Sequence, residues 1–347
     1  MIHSVLSDYS IDSGDCIICP FGSGLINNTW NITCKGHQYI LQRINHSIFK
    51  HPEFIDENIN KISAFLQQHN PGYLFTTPLK NKEGKSLVIT ENGDYFRMFD
   101  FVSDSLTYDV VNTPELAFEA AKQFGKFTKL LSDLPVNDLK ITLPDFHNLT
   151  LRYNQFITAI DHADKTRLNE SKECIEELLG QKSIADKYLE ILSNPDFRKR
   201  VMHHDTKISN VLFDQQGKGI CVIDLDTVMP GYFISDVGDM VRTYVCPVNE
   251  EENDFDKITI RMDYFKAIIH GYLSEMQSTL TKSEISHFFY AGQFMIYMQA
   301  LRFLTDHLNN DAYYGARYEG HNLFRAWNQT ILLRKLNEKE QDIIKLY

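Results

Sequence analysis

The stretch His203-His204-Asp205-Thr206-Lys207-Ile208-Ser209-Asn210, continued by Val211-Leu212-Phe213-Asp214 and by Cys221-Val222-Ile223-Asp224-Leu225-Asp226, decides how this chain folds. Two apolar, strand-like runs bracket a Gly217-Lys218-Gly219 turn, and each carries an acid near one end. A histidine, an aspartate two residues later and an asparagine five beyond that form a spacing that suits phosphoryl transfer from ATP. Such transfer needs a carboxylate to orient the attacking hydroxyl, oxygen ligands to hold Mg²⁺ against the phosphates, and a cation to meet the charge on the transferring group. Asp205 suits the first role, Asn210 and Asp224 the second, and Lys207 the third.

Composition narrows the surroundings of that stretch. The chain has 347 residues, 43% of them apolar and 23% charged, which is ordinary globular usage and long enough for two unequal cores. With 35 basic against 46 acidic residues the formal net charge is −11, so no general nucleic-acid partner is expected; the longest basic cluster is Phe197-Arg198-Lys199-Arg200. No basic start followed by an apolar stretch opens the chain, and the uncharged run between Glu284 and Arg302 is interrupted by Ser286, His287, Gln293 and Gln299. It reads as a buried core helix rather than a membrane span. The expectation is a cytoplasmic protein, a monomer or weak homodimer, with no membrane partner. The cysteines at 16, 19, 34, 174, 221 and 246 are expected to be reduced thiols, and the lone Cys16-x-x-Cys19 has no second pair at zinc-ligand spacing.

Working outward, the first hundred residues read as strands with one helix. Cys16 to Pro20, Thr29 to Cys34 and Tyr39 to Ile44 are strands separated by the Phe21-Gly22-Ser23-Gly24 turn and by Lys35-Gly36. Pro52 opens a helix with Phe54, Ile55, Ile59, Ile62 and Phe65 at helical spacing. Strands at Ser86 to Thr90 and Tyr95 to Val102 flank Asn92-Gly93-Asp94, a hairpin turn. From Pro114 onward the chain is mostly helical. The division is a β-rich part, residues 1–102, that binds the nucleotide, and a larger helical part, 103–347, that carries catalysis and the substrate.

With these motifs in place, the chain resembles the aminoglycoside phosphotransferase and choline kinase superfamily, and within it the bacterial N-acetylhexosamine 1-kinases. The resemblance rests on Tyr39-Ile40-Leu41-Gln42, on His203 to Asn210, on Ile223-Asp224-Leu225-Asp226-Thr227-Val228-Met229-Pro230-Gly231 and on Gly320-His321-Asn322-Leu323. It implies an α+β, protein-kinase-like two-lobe fold, with a small antiparallel β-rich lobe and a larger helical one. It implies Asp205 as catalytic base, Asn210 and Asp224 as Mg²⁺ ligands, and Asp236 and Asp239 as acids that brace the catalytic loop. Asp226, expected two residues along the same strand as Asp224, would complete the metal shell. Arg302 and Tyr313 match positions lining a sugar pocket, while Thr243 and Tyr244 stand where the family carries an aromatic residue against the sugar. Gly22, Ser23 and Gly24 would approach the phosphates. Protein kinases have a lysine on the third strand; here Gln42 stands there with Arg43 next, and either could meet the nucleotide.

Only 11 residues separate Asp224 from Asp236, too few for a peptide-binding activation segment. A small acceptor is therefore expected: an N-acetylhexosamine phosphorylated at its anomeric hydroxyl. The alternatives are an aminoglycoside, choline or homoserine kinase, and a nucleotide-holding pseudokinase.

Overall fold

The computed structural model describes residues 1–347 except Ser23 and Leu25. The chain divides into two compact units, each assembled from several segments. One unit comprises Met1–Leu106, Leu130–Pro144 and Leu212–Pro230; the other comprises Thr107–Lys129, Asp145–Val211 and Gly231–Tyr347. Where the sequence suggested one division after Val102, the chain thus passes back into the first unit twice more.

In the first unit, α1 (Ile2–Asp8) is followed by β1 (Cys16–Pro20), β2 (Asn28–Cys34), β3 (His37–Ile44), α2 (Pro52–His69), β4 (Val88–Ile89) and β5 (Tyr95–Asp100). The strands form one antiparallel sheet in the order β1-β2-β3-β5-β4. Lys35 and Gly36, both at positive φ (50° and 85°), make the tight β2–β3 turn, a conformation that favours the right-handed twist of a hairpin.

Side chains alternate across the sheet, and the register assigns each to a face. Leu41 lies opposite Met98 and Arg43 opposite Phe96 on one face, whereas Gln42 lies opposite Arg97 and Ile40 opposite Phe99 on the other. The first face is buried under α1, whose Val5 and Leu6, with Tyr9 just beyond, pack with Ile32, Leu41, Val88, Phe96 and Met98. The sequence reading placed no helix before β1. Seven residues carry too little periodicity to register alone, and α1 exists because the sheet buries it; each such side chain is worth about 1.5–3 kcal/mol.

Segment 212–230 joins the first unit through backbone bonds, Leu106 N–H to Phe213 O (2.8 Å) and Phe213 N–H to Leu106 O (2.9 Å). It contains most of a two-stranded ladder, β6 (Val211–Phe213) with β7 (Gly219–Val222). Buried Asn58 of α2 ties in both late segments, donating from Nδ2 to Lys140 O (2.9 Å) and to Val228 O (3.0 Å) and accepting from Lys140 N–H (2.8 Å).

The expectation of reduced thiols is corrected at one pair. Cys16 and Cys34 are directly opposite in the β1–β2 register and form a disulfide with Cα atoms 4.4 Å apart. Cys16 and Cys19 lie on opposite faces of one strand and cannot meet; Cys19 is free and exposed.

The second unit is helical: α3 (Pro114–Leu130, its last residue in the first unit), α4 (Leu149–His162), α5 (Lys165–Gly180), α6 (Ser183–Ser193), α7 (Phe233–Tyr244), α8 (Met262–Met276), α9 (Lys282–Ile285), α10 (Phe288–Leu308), α11 (His321–Asn337) and α12 (Glu340–Ile343). Their starts are sealed by side chains that take up orphan amides: Asn148 for α4, Asp164 for α5, and a Thr281–Glu284 capping box for α9. The uncharged run read as a core helix is α10, apolar on nearly every side and packed by α4, α7 and α11. Among the described residues no helix is long and apolar enough to cross a membrane. Of the basic cluster 198–200, Arg200 is buried, donating to both oxygens of buried Glu284 (2.6 and 2.9 Å).

Gly238 lets α7 close on α10, since a Cβ there would stand 2.4 Å from Ala291 O, a backbone atom of the facing helix. Gly238→Ala is therefore expected to cost about 1–3 kcal/mol, as overpacked sites do, read as a lowered thermal unfolding midpoint.

Candidate active site

In the second unit, α7 organises the loop that carries Asp205. Asp236 and Asp239, one turn apart, face the segment 203–206. Asp236 accepts from His203 N–H (3.0 Å) and His204 N–H (2.8 Å), and Asp239 from Thr206 N–H (2.8 Å). Thr206 Oγ1 donates to Asp236 O (2.9 Å), and Tyr244 Oη, at the far end of α7, donates to Thr206 O (2.5 Å). These bonds hold His204 at φ 66°, a left-handed conformation unfavourable for a residue with a Cβ. Gly231 makes room for its ring: a Cβ there would lie 2.4 Å from His204 Cε1. His203 is buried edge-on against Phe124 and Phe127, with ring centroids 5.1 and 6.3 Å away.

The loop presents Asp205 to solvent. Its Oδ2 accepts from Asn210 Nδ2 (2.9 Å) and lies 3.1 Å from Lys207 Nζ, while Asn210 Nδ2 also donates to Asp205 O (2.9 Å). The Asp205 and Lys207 side chains are 30% and 43% exposed, so both are open to a reactant. Because the Asn210 amide turns its nitrogen to Asp205, its Oδ1 is left as an acceptor with no hydrogen bond among the described residues.

A second tier lies around His147. Its Nδ1 is 3.4 Å from Nδ1 of His204, and burial, then His204, Arg302, Arg242 and Arg152, hold its pKa well below the ordinary value. Arg302 of α10 lies over the rings of Tyr314 (5.4 Å) and Tyr313 (6.0 Å) and donates to Gln299 Oε1 (3.3 Å). Arg152 of α4 donates to Gln155 Oε1 (3.0 Å) and Asp145 O (3.1 Å). Both guanidiniums are thus bonded to uncharged acceptors. Two carboxylates of this region are committed elsewhere. Glu250 bridges Arg242 and Arg325, and Asp306 accepts the backbone N–H groups of Tyr313 (2.7 Å) and Tyr314 (2.9 Å). Asn322, from the motif at 320–323, holds the same loop through Asp306, Asp311 and Gly315 O.

Two expectations on α7 change. Tyr244, expected against the acceptor, is fully buried and props the catalytic loop from below. The Thr243 hydroxyl bonds back to Asp239 O (2.7 Å) within its own helix. Tyr313 is 75% exposed and lies beside Arg302.

In the first unit, Asp224 and Asp226 are not on one strand. β7 ends at Val222, Asp224 takes a left-handed conformation (φ 60°, ψ 62°), and Leu225–Thr227 is a single 3₁₀ turn. Asp224 remains partly accessible, but Asp226 is buried and faces the sheet, where Arg97 Nη2 bonds its Oδ1 and Asn27 Nδ2 its Oδ2 (2.7 Å). A carboxylate held on both oxygens in this way is a structural partner of Arg97, which corrects the expectation that it completes a metal shell. Gln42 Oε1 accepts from Arg97 Nε (3.1 Å) and Nη2 (2.9 Å), so Gln42 belongs to the same network. Arg43 turns to the other face and pairs with Asp94 at 3.7 Å. Gly22 sits at φ 78° in the β1–β2 connection with Gly24 two residues on; Ser23 lies outside the described residues. Arg97, Asn27, Asn58, Arg152 and His147 were missed by the sequence reading. A lone arginine between Phe96 and Met98 on an otherwise apolar strand was the one available signal among them.

This combination of an antiparallel five-stranded sheet with an Asp205-bearing loop braced by helical acids is that of the protein-kinase-like α+β fold. Solved structures with it include an amicoumacin kinase in complex with AMP-PNP and Ca²⁺ (13% identity, TM-score 0.65, covering 96% of this chain and 92% of that one). An aminoglycoside phosphotransferase from Alicyclobacillus acidocaldarius is similar (14%, 0.64, 98% and 96%), as is a choline kinase from Cryptosporidium parvum (15%, 0.57, 99% and 96%). The chain belongs to the phosphotransferase enzyme family, whose model matches residues 17–261.

Burial pushes the Asp236 carboxyl up to about 6, opposed by His203 and the two N–H donors. A carboxyl raised above its ordinary 3.8 favours the fold most below that value, and the contribution is lost as pH rises through the folded pKa. The stability advantage of the natural protein over Asp236→Asn is therefore expected to be largest near about pH 4 and to shrink by about pH 7, measured by urea unfolding across that range.

Proposed function

We propose that this phosphotransferase is an ATP- and Mg²⁺-dependent sugar kinase that phosphorylates the anomeric hydroxyl of an N-acetylhexosamine. The observation that carries the choice of acceptor is the pair Arg152 and Arg302, bonded to uncharged groups beside His147 and the catalytic loop. Choline or a polyamine antibiotic calls for unspent carboxylates, and here two guanidiniums without a carboxylate partner would repel it. Sugar hydroxyls and an acetamide oxygen accept hydrogen bonds from guanidinium groups, and the tyrosine rings beside Arg302 suit a pyranose face.

In this reading Asp205 accepts the proton of the anomeric hydroxyl through its carboxylate while Asn210 and Lys207 keep that carboxylate in one orientation. The sugar oxygen forms a bond to the γ-phosphorus as the bond from that phosphorus to the β–γ bridging oxygen breaks, giving sugar 1-phosphate and ADP. Lys207 offsets charge on the transferring group. By the family resemblance Asn210 and Asp224 would serve Mg²⁺, which when bound supplies charge neutralisation on the phosphates. Both residues offer hard oxygen donors, which suit Mg²⁺. Mg²⁺ ordinarily uses one or two carboxylates and takes its remaining oxygens from phosphates and water.

The test is ADP release across N-acetylglucosamine, N-acetylgalactosamine, glucose, choline, homoserine and kanamycin. Turnover is expected with the N-acetylhexosamines and is expected to vanish with their methyl glycosides. Turnover confined to the cationic acceptors would refute the sugar assignment. Asp205→Asn is expected to lower kcat by roughly 10²–10⁴-fold, the usual contribution of a positioned base, with AMP-PNP affinity nearly unchanged by calorimetry.

A further inference from the structure

Resting on that kinase reading, we propose that Arg97 and Asp226 are the positioning pair of the nucleotide site, doing from β5 and the turn after β7 what a third-strand lysine cannot do here. Position 42 of β3 is glutamine, and the residue directly across from it is Arg97, on the sheet face that α1 leaves uncovered. The Arg97 and Asp226 side chains are each only 3% exposed. Gln42 Oε1 takes two N–H groups of Arg97, Gln42 Nε2 donates to Thr29 Oγ1 (3.3 Å), and Asn27 bonds Asp226 while accepting from Asn45 N–H (3.0 Å). Four strand or strand-end residues are thus spent on orienting one guanidinium and one carboxylate.

Stability alone does not account for this arrangement. A buried ion pair is commonly matched by apolar residues of similar volume. Here, moreover, Arg97 Nη1 is buried and has no hydrogen-bond partner among the described residues. What the pair does control is the turn containing Asp224. That residue has the left-handed conformation, which persists only where the surroundings over-determine it. Asp226 is anchored to Arg97 two residues downstream, and Asn58 Nδ2 anchors Val228 O two residues further on. Asp226 and Val228 are thus held at fixed points just downstream of Asp224, the residue that would bind the metal.

The experiment uses the full chain with Arg97→Met, Asp226→Leu, the double substitution and Arg97→Lys. Three quantities are read: the thermal midpoint of the nucleotide-free protein, the Mg²⁺-dependent affinity for AMP-PNP by calorimetry, and kcat with KM for each substrate. Arg97→Met is expected to weaken Mg²⁺–AMP-PNP binding by about 10–100-fold, as loss of a residue supporting a metal ligand does, with KM for the acceptor little changed. Arg97→Lys is expected to recover part of that loss. The double substitution is expected to regain the thermal midpoint without regaining nucleotide affinity. If it regains both, or if Arg97→Met leaves Mg²⁺–AMP-PNP affinity unchanged, the pair is structural only and the proposal is overturned. If the natural protein itself shows no Mg²⁺-dependent AMP-PNP binding, the kinase reading fails first and this one with it.

Discussion

The catalytic loop depends on two carboxylates placed one turn apart on α7. Left to itself, the run His203 to Asn210 would not keep His204 in a left-handed conformation, and the buried amides of His203, His204 and Thr206 would lack acceptors. Asp236 and Asp239 supply those acceptors. An unpaired buried N–H costs about 1–3 kcal/mol, so three of them set a stringent condition on the position of α7. That position in turn depends on Gly238, which lets the helix reach Ala291 of α10. The exposed carboxylate of Asp205 is thus the surface end of an arrangement whose foundations are in the helical core.

From Asp239 a second chain of charges runs outward. Arg242 bonds Asp239 (3.2 Å) and Glu250, Glu250 bonds Arg325, and Arg325 lies over Phe303 at 3.8 Å and Tyr314 at 5.2 Å. The acids of this region are consumed by the protein's own arginines. That explains how a chain with a formal charge of −11 can present Arg152 and Arg302 beside the catalytic loop without carboxylate partners. Net charge describes the whole surface, whereas acceptor choice follows from which charges remain unspent locally.

The first unit shows a parallel economy on a sheet. One face of β3 and β5 is filled by α1 and its apolar partners, and the other carries the polar network of Gln42, Arg97, Asp226 and Asn27. Strand periodicity separates the two sets with no irregularity in the ladder, and the Cys16–Cys34 disulfide lies at its outer pair of strands.

Much of this was legible in the sequence. The strands at 16, 28, 37 and 95, the helices opening at Pro52 and Pro114, and the H-x-D loop follow from local periodicity, proline placement and motif spacing, which depend on neighbours a few residues away. The bracing role of Asp236 and Asp239 was implied by the family resemblance, and their bonds to the amides of His203, His204 and Thr206 bear it out. What the sequence could not decide were matters of direction and of distant pairing. Asp224 and Asp226 read as one strand because the apolar run leads into them, but a left-handed residue breaks the alternation and sends Asp226 to Arg97, 129 positions away in the chain. Tyr244 passed for an acceptor contact because a single residue step along α7, about 100° of rotation, separates the partly accessible Thr243 from a buried position. Cys16 met Cys34 rather than Cys19 because strand register, not proximity in the chain, sets which thiols face each other. Local chemistry was written in the order of residues; which groups are spent on each other, and which are left for a ligand, was decided only when the chain closed on itself.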